Sequence, residues 1–262
     1  MVGRFAGQVA VVTGAGSGIG KAITERFVAE GAHVVAGDID TGALQALVDE
    51  LGEAVTPVRC DVTDEASVAG LMATGEPLGG LDIVVANAGK GSFGLIVDQP
   101  LEAWQEIIDL CLTGVFLTIK HAAPRVHDGG AIVNIASLNA IQPSAGMSAY
   151  CAAKAGVAML TEVAAMELGP RGIRVNTVAP GLVETNATAA FWMVPGVVEE
   201  FVDNTTLGRF ASPADVAAVV AFLASADASF VSGSLYSVDG GAATKRYPDL
   251  PGAFARLGLP PA

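Results

Sequence analysis

Basic residues are scarce in this 262-residue chain, where 14 lysines and arginines stand against 27 aspartates and glutamates and leave a formal net charge of −13. A field of that sign repels phosphate backbones and anionic lipid surfaces, which excludes a general nucleic-acid or membrane-surface binder. Any phosphate must be held locally. Cysteine is almost absent: Cys60, Cys111 and Cys151 are odd in number and far apart, so neither a disulfide framework nor a zinc motif follows. The three histidines, His33, His121 and His127, lack ligand spacing and read as structural or surface residues, and no metal is expected. Long apolar runs are missing too. The richest, from Val216 to Ala226, falls short of the roughly 20 residues of a membrane span, and the first eight residues carry no run of signal-peptide length. A protein of the reducing cytoplasm is expected.

What the chain does have is an apolar share of 52%, ample for a large core. Val9 to Thr13 reads as a strand, Gly14-Ala15-Gly16-Ser17-Gly18-Ile19-Gly20 as a glycine-rich turn, and Lys21 to Glu30 as a helix. Such a turn brings bare backbone N–H groups up to an anion, and the helix points its positive end at the same place. The expected guest is a pyrophosphate. A second apolar run, His33 to Gly37, ends at Asp38, roughly 20 residues past the glycines, where an acidic side chain accepts from the ribose hydroxyls of a dinucleotide.

Downstream, helices are expected at Thr41–Leu51, Asp64–Ala73, Leu101–Ala123, Met147–Gly169 and Pro213–Ser225, the last capped by Ser212. Strands are expected at Val55–Cys60, Leu81–Ala86, Gly130–Ala136, Ile173–Ala179 and Ser234–Val238. This alternation, unbroken by linker or repeat, predicts an α/β fold: a single Rossmann-like doubly wound parallel sheet of about seven strands with helices on both faces. Residues 1–241 form that dinucleotide-binding domain, with a substrate loop over about 182–210. The proline-containing tail, 242–262, packs on the same domain or on a neighbouring subunit.

Chemistry is concentrated in Ser137, Tyr150 and Lys154. Ser137 ends a strand at the ligand side of the sheet, and Tyr150 and Lys154, four apart, share one helix face. A phenol titrates near 10, and a nearby ammonium favours its phenolate and brings it toward working range. Tyr150 then serves as a proton shuttle while Ser137 holds a substrate oxygen in line with phenol and cofactor. A general acid/base beside a bound dinucleotide points to hydride transfer at an alcohol or carbonyl carbon.

From Phe5 to Gly241 the chain resembles the short-chain dehydrogenase/reductases, in the branch with subunits of about this length. The resemblance rests on Thr13 to Gly20, Asp38, Asp61-Val62, Asn87-Ala88-Gly89, Ser137, the Tyr150/Lys154 pair and Pro180-Gly181, in that order. It implies a catalytic trio of Ser137, Tyr150 and Lys154. It also implies a cofactor shell of Gly14, Ser17, Gly18, Ile19, Asp38, Asp61, Val62, Asn87, Ala88, Gly89, Tyr150, Lys154, Pro180, Gly181, Val183 and Thr185. Within that shell Asp61 and the Val62 backbone contact adenine, Lys154 holds the nicotinamide ribose and Thr185 bonds the carboxamide. Asp38 repels a 2′-phosphate and Ser17 stands where phosphate-preferring relatives often carry a basic residue, so NAD is the expected cofactor. The resemblance further implies a homotetramer.

One position departs from the family pattern. Cys111 precedes Leu112-Thr113-Gly114 where the family generally has an asparagine that helps relay protons, and a thiol is a weak substitute for an amide. This keeps open a dinucleotide-binding protein with weak or no catalysis, a sensor or assembly subunit. Isomerase or dehydratase chemistry on a retained cofactor is also open. Cys151, turned about 100° from Tyr150 on the helix, reads as packing, and so does Cys60. Lys90 and Glu184 read as solvated loop charges.

The substrate-side loops, Gly91 to Phe93, Leu138 to Pro143 and Leu182 to Phe201, carry no strongly basic cluster. A neutral, fairly apolar secondary alcohol or ketone fits them. Phe191-Trp192-Met193-Val194 reads equally as a lid over such a ligand or as an ordinary core or subunit contact.

Overall fold

In the computed structural model, which describes residues 3–246, 248, 249 and 252, the apolar runs become seven parallel strands. They are β1 (Val9–Thr13), β2 (His33–Asp38), β3 (Val55–Arg59), β4 (Leu81–Ala86), β5 (Val126–Ile135), β6 (Arg174–Pro180) and β7 (Leu235–Val238). Their order in the sheet is β3-β2-β1-β4-β5-β6-β7. Every residue of β1 and β6 is buried, as expected of central strands covered on both faces. The order reverses between β1 and β4, and a crevice opens there at the carboxyl ends.

Helices cover both faces. On one side α1 (Gly18–Ala29), α2 (Thr41–Leu51) and α9 (Pro213–Ala224) share a core through Ile23, Phe27, Leu44, Leu47, Val216, Val220 and Leu223. Phe5 packs edge-on against Phe27, with ring centroids 5.0 Å apart, and closes that core. On the other side lie α3 (Glu65–Ala73), α5 (Gly114–Ala122) and α6 (Ser148–Leu168), which contribute Val68, Leu71, Met72, Val115, Ile119 and Val157.

Local chemistry fixes the ends of these helices. Asp40 accepts from Gly42 N and Ala43 N to start α2, and Asp64 accepts from Ala66 N to start α3. At α9 the cap is reciprocal: Ser212 Oγ accepts from Asp215 N while Asp215 Oδ2 accepts from Ser212 N. The far end of α9 is held by buried Arg174, whose guanidinium donates to Leu223 O, Ala224 O and Ser225 O.

Two elements differ from the sequence expectation. The single helix over 101–123 is α4 (Leu101–Ile108) and α5 joined by a π-helical turn, Asp109–Thr113, an insertion that hydrophobic spacing does not register. β5 begins at Val126, earlier than Gly130, because Val126 pairs with Leu81 before the ladder shifts register. Between β6 and α9 run two short helices, α7 (Ala189–Trp192) and α8 (Val197–Asp203). Most of the proposed C-terminal tail lies outside the described residues.

Candidate active site

The glycine-rich turn closes against β4. Gly14 has φ +64, and a Cβ on Gly20 would stand 1.9 Å from Gly14 O, so neither position tolerates a side chain. Asn87 stitches the crevice from the other wall, its Nδ2 donating to Thr13 O (2.9 Å) and Gly14 O (3.1 Å). Thr13 Oγ1 in turn accepts from Asn87 N and Ala88 N. Ser17 heads α1 without a side-chain cap, which leaves the first-turn amides open to an anion. Asp38 ends β2 with Oδ2 accepting from Gly16 N at 2.8 Å and Oδ1 accepting from Asp40 N at 3.0 Å. These bonds hold its carboxylate beside the turn.

Asp61 follows β3, and bonds from the hydroxyl and backbone of Thr63 hold its carboxyl below the usual range. Thr185 reaches over from the β6 side: its Cγ2 lies 3.0 Å from where a Gly18 Cβ would be.

Ser137 leaves β5 as the cap of a short turn, with Oγ accepting from Asn139 N at 3.1 Å. Tyr150 and Lys154 lie one turn apart on α6, with Lys154 Nζ 5.6 Å from the centre of the Tyr150 ring. Lys154 is buried and donates to Ile135 O at 2.8 Å. Burial pushes its ammonium pKa down, and the neighbouring Cys111 opposes that shift.

Cys111 is fully buried in the π-helical turn and its thiol donates to Lys90 O at 3.4 Å. A Cβ on Gly89 would lie 3.4 Å from this sulfur and 3.5 Å from Lys154 Nζ, so Gly89, Cys111 and Lys154 form one knot.

One cleft of about 800 Å³ gathers these groups. All sixteen positions of the expected cofactor shell and all three of the expected catalytic trio line it. Ile39 and Thr63 line it as well, unsingled by the sequence although each directly follows an expected site residue, and Ala187 and Thr188 line it from within the expected substrate loop. Lys90, expected to be solvated, lines the cleft and pairs with Glu106. Cys60 is buried as expected, with its thiol pKa raised chiefly by burial, yet it also touches the cleft. The histidines make structural contacts: His33 with Thr56, His121 with Glu65, and His127 with Asp82 and Gly79 O.

The far half of the cleft is apolar. Met147, Leu182, Val197 and Phe201 form a buried cluster with Phe93, Tyr150, Cys151, Phe191 and Trp192 packed against it. The aromatic patch of the loop divides. Phe191 faces the cleft and lies 5.7 Å from Phe201, Trp192 packs edge-on against Phe210, and Met193 is exposed.

A parallel sheet with a glycine-turned crevice at its switch point, and a Ser, Tyr and Lys beside it, has the form of a dinucleotide-binding α/β fold. A profile of the family described as enoyl-(acyl carrier protein) reductase matches residues 14–243. The 3-alpha-(or 20-beta)-hydroxysteroid dehydrogenase of Mycobacterium bovis is 41% identical over 244 residues, covering 92% of this chain and 91% of that protein. The cis-4-hydroxycyclohexanecarboxylate dehydrogenase of Sinomonas cyclohexanicum is 44% identical over 243 residues, with 90% and 97% covered. A short-chain type dehydrogenase/reductase structure from Mycobacterium ulcerans superimposes with a TM-score of 0.93 at 34% identity, covering 97% of this chain and 96% of that one. The chain belongs to the short-chain dehydrogenase/reductase family. Among the described residues no helix is long and apolar enough to cross a membrane.

Proposed function

We propose that the protein is an NAD(H)-linked oxidoreductase that interconverts a neutral, fairly apolar secondary alcohol and its ketone. The observation that carries this reading is the buried Lys154 ammonium set 5.6 Å from the Tyr150 ring, in the same cleft as Ser137. In the oxidation direction the alcohol carbon loses a hydride and its oxygen a proton, leaving a carbonyl. NAD, when bound, supplies the hydride acceptor. Tyr150 takes the proton, Lys154 favours the phenolate that does so, and Ser137 fixes the substrate oxygen. The roles of these three and of the cofactor shell are part of the proposal.

The chain's own residues fit the cofactor. The open amides at the head of α1 suit a pyrophosphate, the glycines leave room for it, and Asp38 at the turn suits a free ribose diol over a 2′-phosphate. Lys154 suits the nicotinamide ribose and Thr185 the carboxamide.

The apolar half of the cleft supports a neutral substrate. Phe93, Met147, Leu182, Phe191 and Phe201 bring no charge to it, which disfavours a carboxylate or an acyl-carrier thioester and favours ring alcohols of steroid-like, terpene-like or smaller size. The named hydroxysteroid relative agrees with that range. The Cys111 thiol already occupies the Lys90 carbonyl, which supports a working site over a silenced one.

A homotetramer in the cytoplasm completes the proposal, supported by the exposed apolar side chains of Met159, Val163 and Met166 on α6, by the fully exposed Phe230, and by three free cysteines. The test is NADH or NADPH formation by the purified protein with a panel of neutral ring and chain secondary alcohols. Turnover with NAD is the expected result. A preference for NADP overturns the Asp38 reading, and silence across the panel despite tight NADH binding favours a non-catalytic role.

A further inference from the structure

The segment after β7 is tied to two walls of the cleft. Gly240 O accepts from Thr206 N at 2.8 Å and from Leu207 N at 3.1 Å, just past α8. Lys245 then reaches back to the end of that helix, its Nζ donating to Asp203 O at 2.8 Å and to Thr205 O at 3.0 Å. A cation suits this place, because the last carbonyls of a helix lack partners within it and carry its negative pole. Arg246 adds an ion pair to Glu200 of α8 at 2.6 Å.

The second wall is the turn that follows Ser137. Gln142 Nε2 donates to Lys245 O at 2.6 Å, and Gln142 O accepts from Asn139 Nδ2 at 3.1 Å. Gln142 keeps this place against an energetic penalty, since its Oε1 is buried with no hydrogen-bond partner among the described residues. Asn139 lines the cleft beside Ser137, and Phe201 of α8 lines it from the other wall, buried in one cluster with Val197. Lys245 joins the two walls, one through its carbonyl and one through its ammonium.

α8 depends on such outside support. Its seven residues are too few to persist by their own hydrogen bonds, and Gly196 at its head brings no side-chain cap. Its apolar face packs on the cleft cluster, and its far end is fixed by Lys245. On the basis of the function proposed above, we infer that Lys245 is a positioning residue that sets specificity: it holds α8, and with it the Phe201 wall, in place before substrate arrives. A ring alcohol that covers Phe201 then meets a wall already ordered, and with the tie cut it must order that wall itself. An alcohol of three carbons offers the wall little surface and is indifferent to the tie.

The experiment measures kcat and KM for decalol, a bicyclic alcohol, and for isopropanol, using NAD, in wild type, Lys245→Met and Lys245→Arg, with NADH affinity read by fluorescence. Lys245→Met should raise KM for decalol about fivefold, the effect of ordering one or two freed side chains, with kcat within about twofold of wild type. Both constants for isopropanol, and the NADH affinity, should stay within about twofold. Lys245→Arg, which keeps a cationic donor, should restore most of the decalol KM. Gln142→Leu cuts the other end of the tie and removes the orphaned oxygen, and it should move the decalol KM in the same direction even where Lys245→Met fails to fold. A KM change shared by both alcohols, no change for decalol, or a wild type that oxidises isopropanol and rejects decalol overturns this inference alone. A wild type silent on both alcohols and on the wider panel sinks the proposed function with it.

Discussion

Lys154 shows how the site trades stability for chemistry. Its ammonium is buried with a pKa below the usual value, so the unfolded chain binds this proton more readily than the folded one. Stability from this group therefore rises with pH toward its ordinary 10.5, and at neutrality the buried charge opposes folding. Lys154→Met removes the charge while keeping much of the volume. It should raise stability by about 1 kcal/mol in a thermal melt at neutral pH and lower turnover by about 100-fold or more. A large fall in melting temperature would show that the bond to Ile135 O outweighs the desolvation cost. At this scale much was legible. Four-residue spacing places Tyr150 and Lys154 on one helix face, and a polar residue at a strand end places Ser137 beside them. The bond from Cys111 to Lys90 O was not legible, because it depends on a π-helical turn and on a loop 21 residues away. The pairing of Lys90 with Glu106 was hidden for the same reason.

At the scale of elements, caps and turns announce themselves while loops do not. Ser212 before Pro213, with Asp215 following, marks the start of α9 because those residue types satisfy free backbone amides. Asp215 also accepts both arms of the Arg209 guanidinium, and these bonds hold its carboxyl well below the usual carboxylate range. Asp215→Asn should cost about 1 kcal/mol at neutral pH, mostly through the cap, since the exposed ion pair adds little. The depressed pKa fixes the sign: this stability is present above the ordinary value of 3.8 and is lost as pH falls through it toward the folded-state value. The gap between melts of wild type and variant should thus begin to close below about pH 4 and keep shrinking into stronger acid. A gap that stays constant into strong acid would contradict that origin. The loop between β6 and α9 was less readable. Its hydrophobic run said only that something apolar is covered, and tertiary packing decides that Phe191 turns to the cleft, Trp192 to Phe210 and Met193 to solvent.

For the whole molecule, the doubly wound sheet follows from the alternation of strands and helices, because parallel crossovers have one favoured hand and leave few orders for seven strands. Assembly lies beyond that reading, since neither the apolar surface of α6 nor Phe230 declares a partner in sequence. Met159, Val163 and Met166 line the exposed side of α6, and Phe230 stands fully exposed in the turn that reaches Ala165 of α6 at Gly233. If each surface meets a second copy, Met166→Asp and Phe230→Asp should each reduce the assembly seen by light scattering from tetramer to dimer. Unchanged tetramers in both variants would contradict the assignment of these surfaces, and a monomeric wild type would contradict the tetramer. The catalytic proposal is tested most directly by Tyr150→Phe, assayed for NADH formation with the best alcohol of the panel and for NADH binding by fluorescence. Removing one phenolic oxygen should cut turnover by about 1,000-fold while leaving NADH affinity within a few-fold of wild type. Near-normal turnover in Tyr150→Phe would contradict the assignment of Tyr150 as the acid/base.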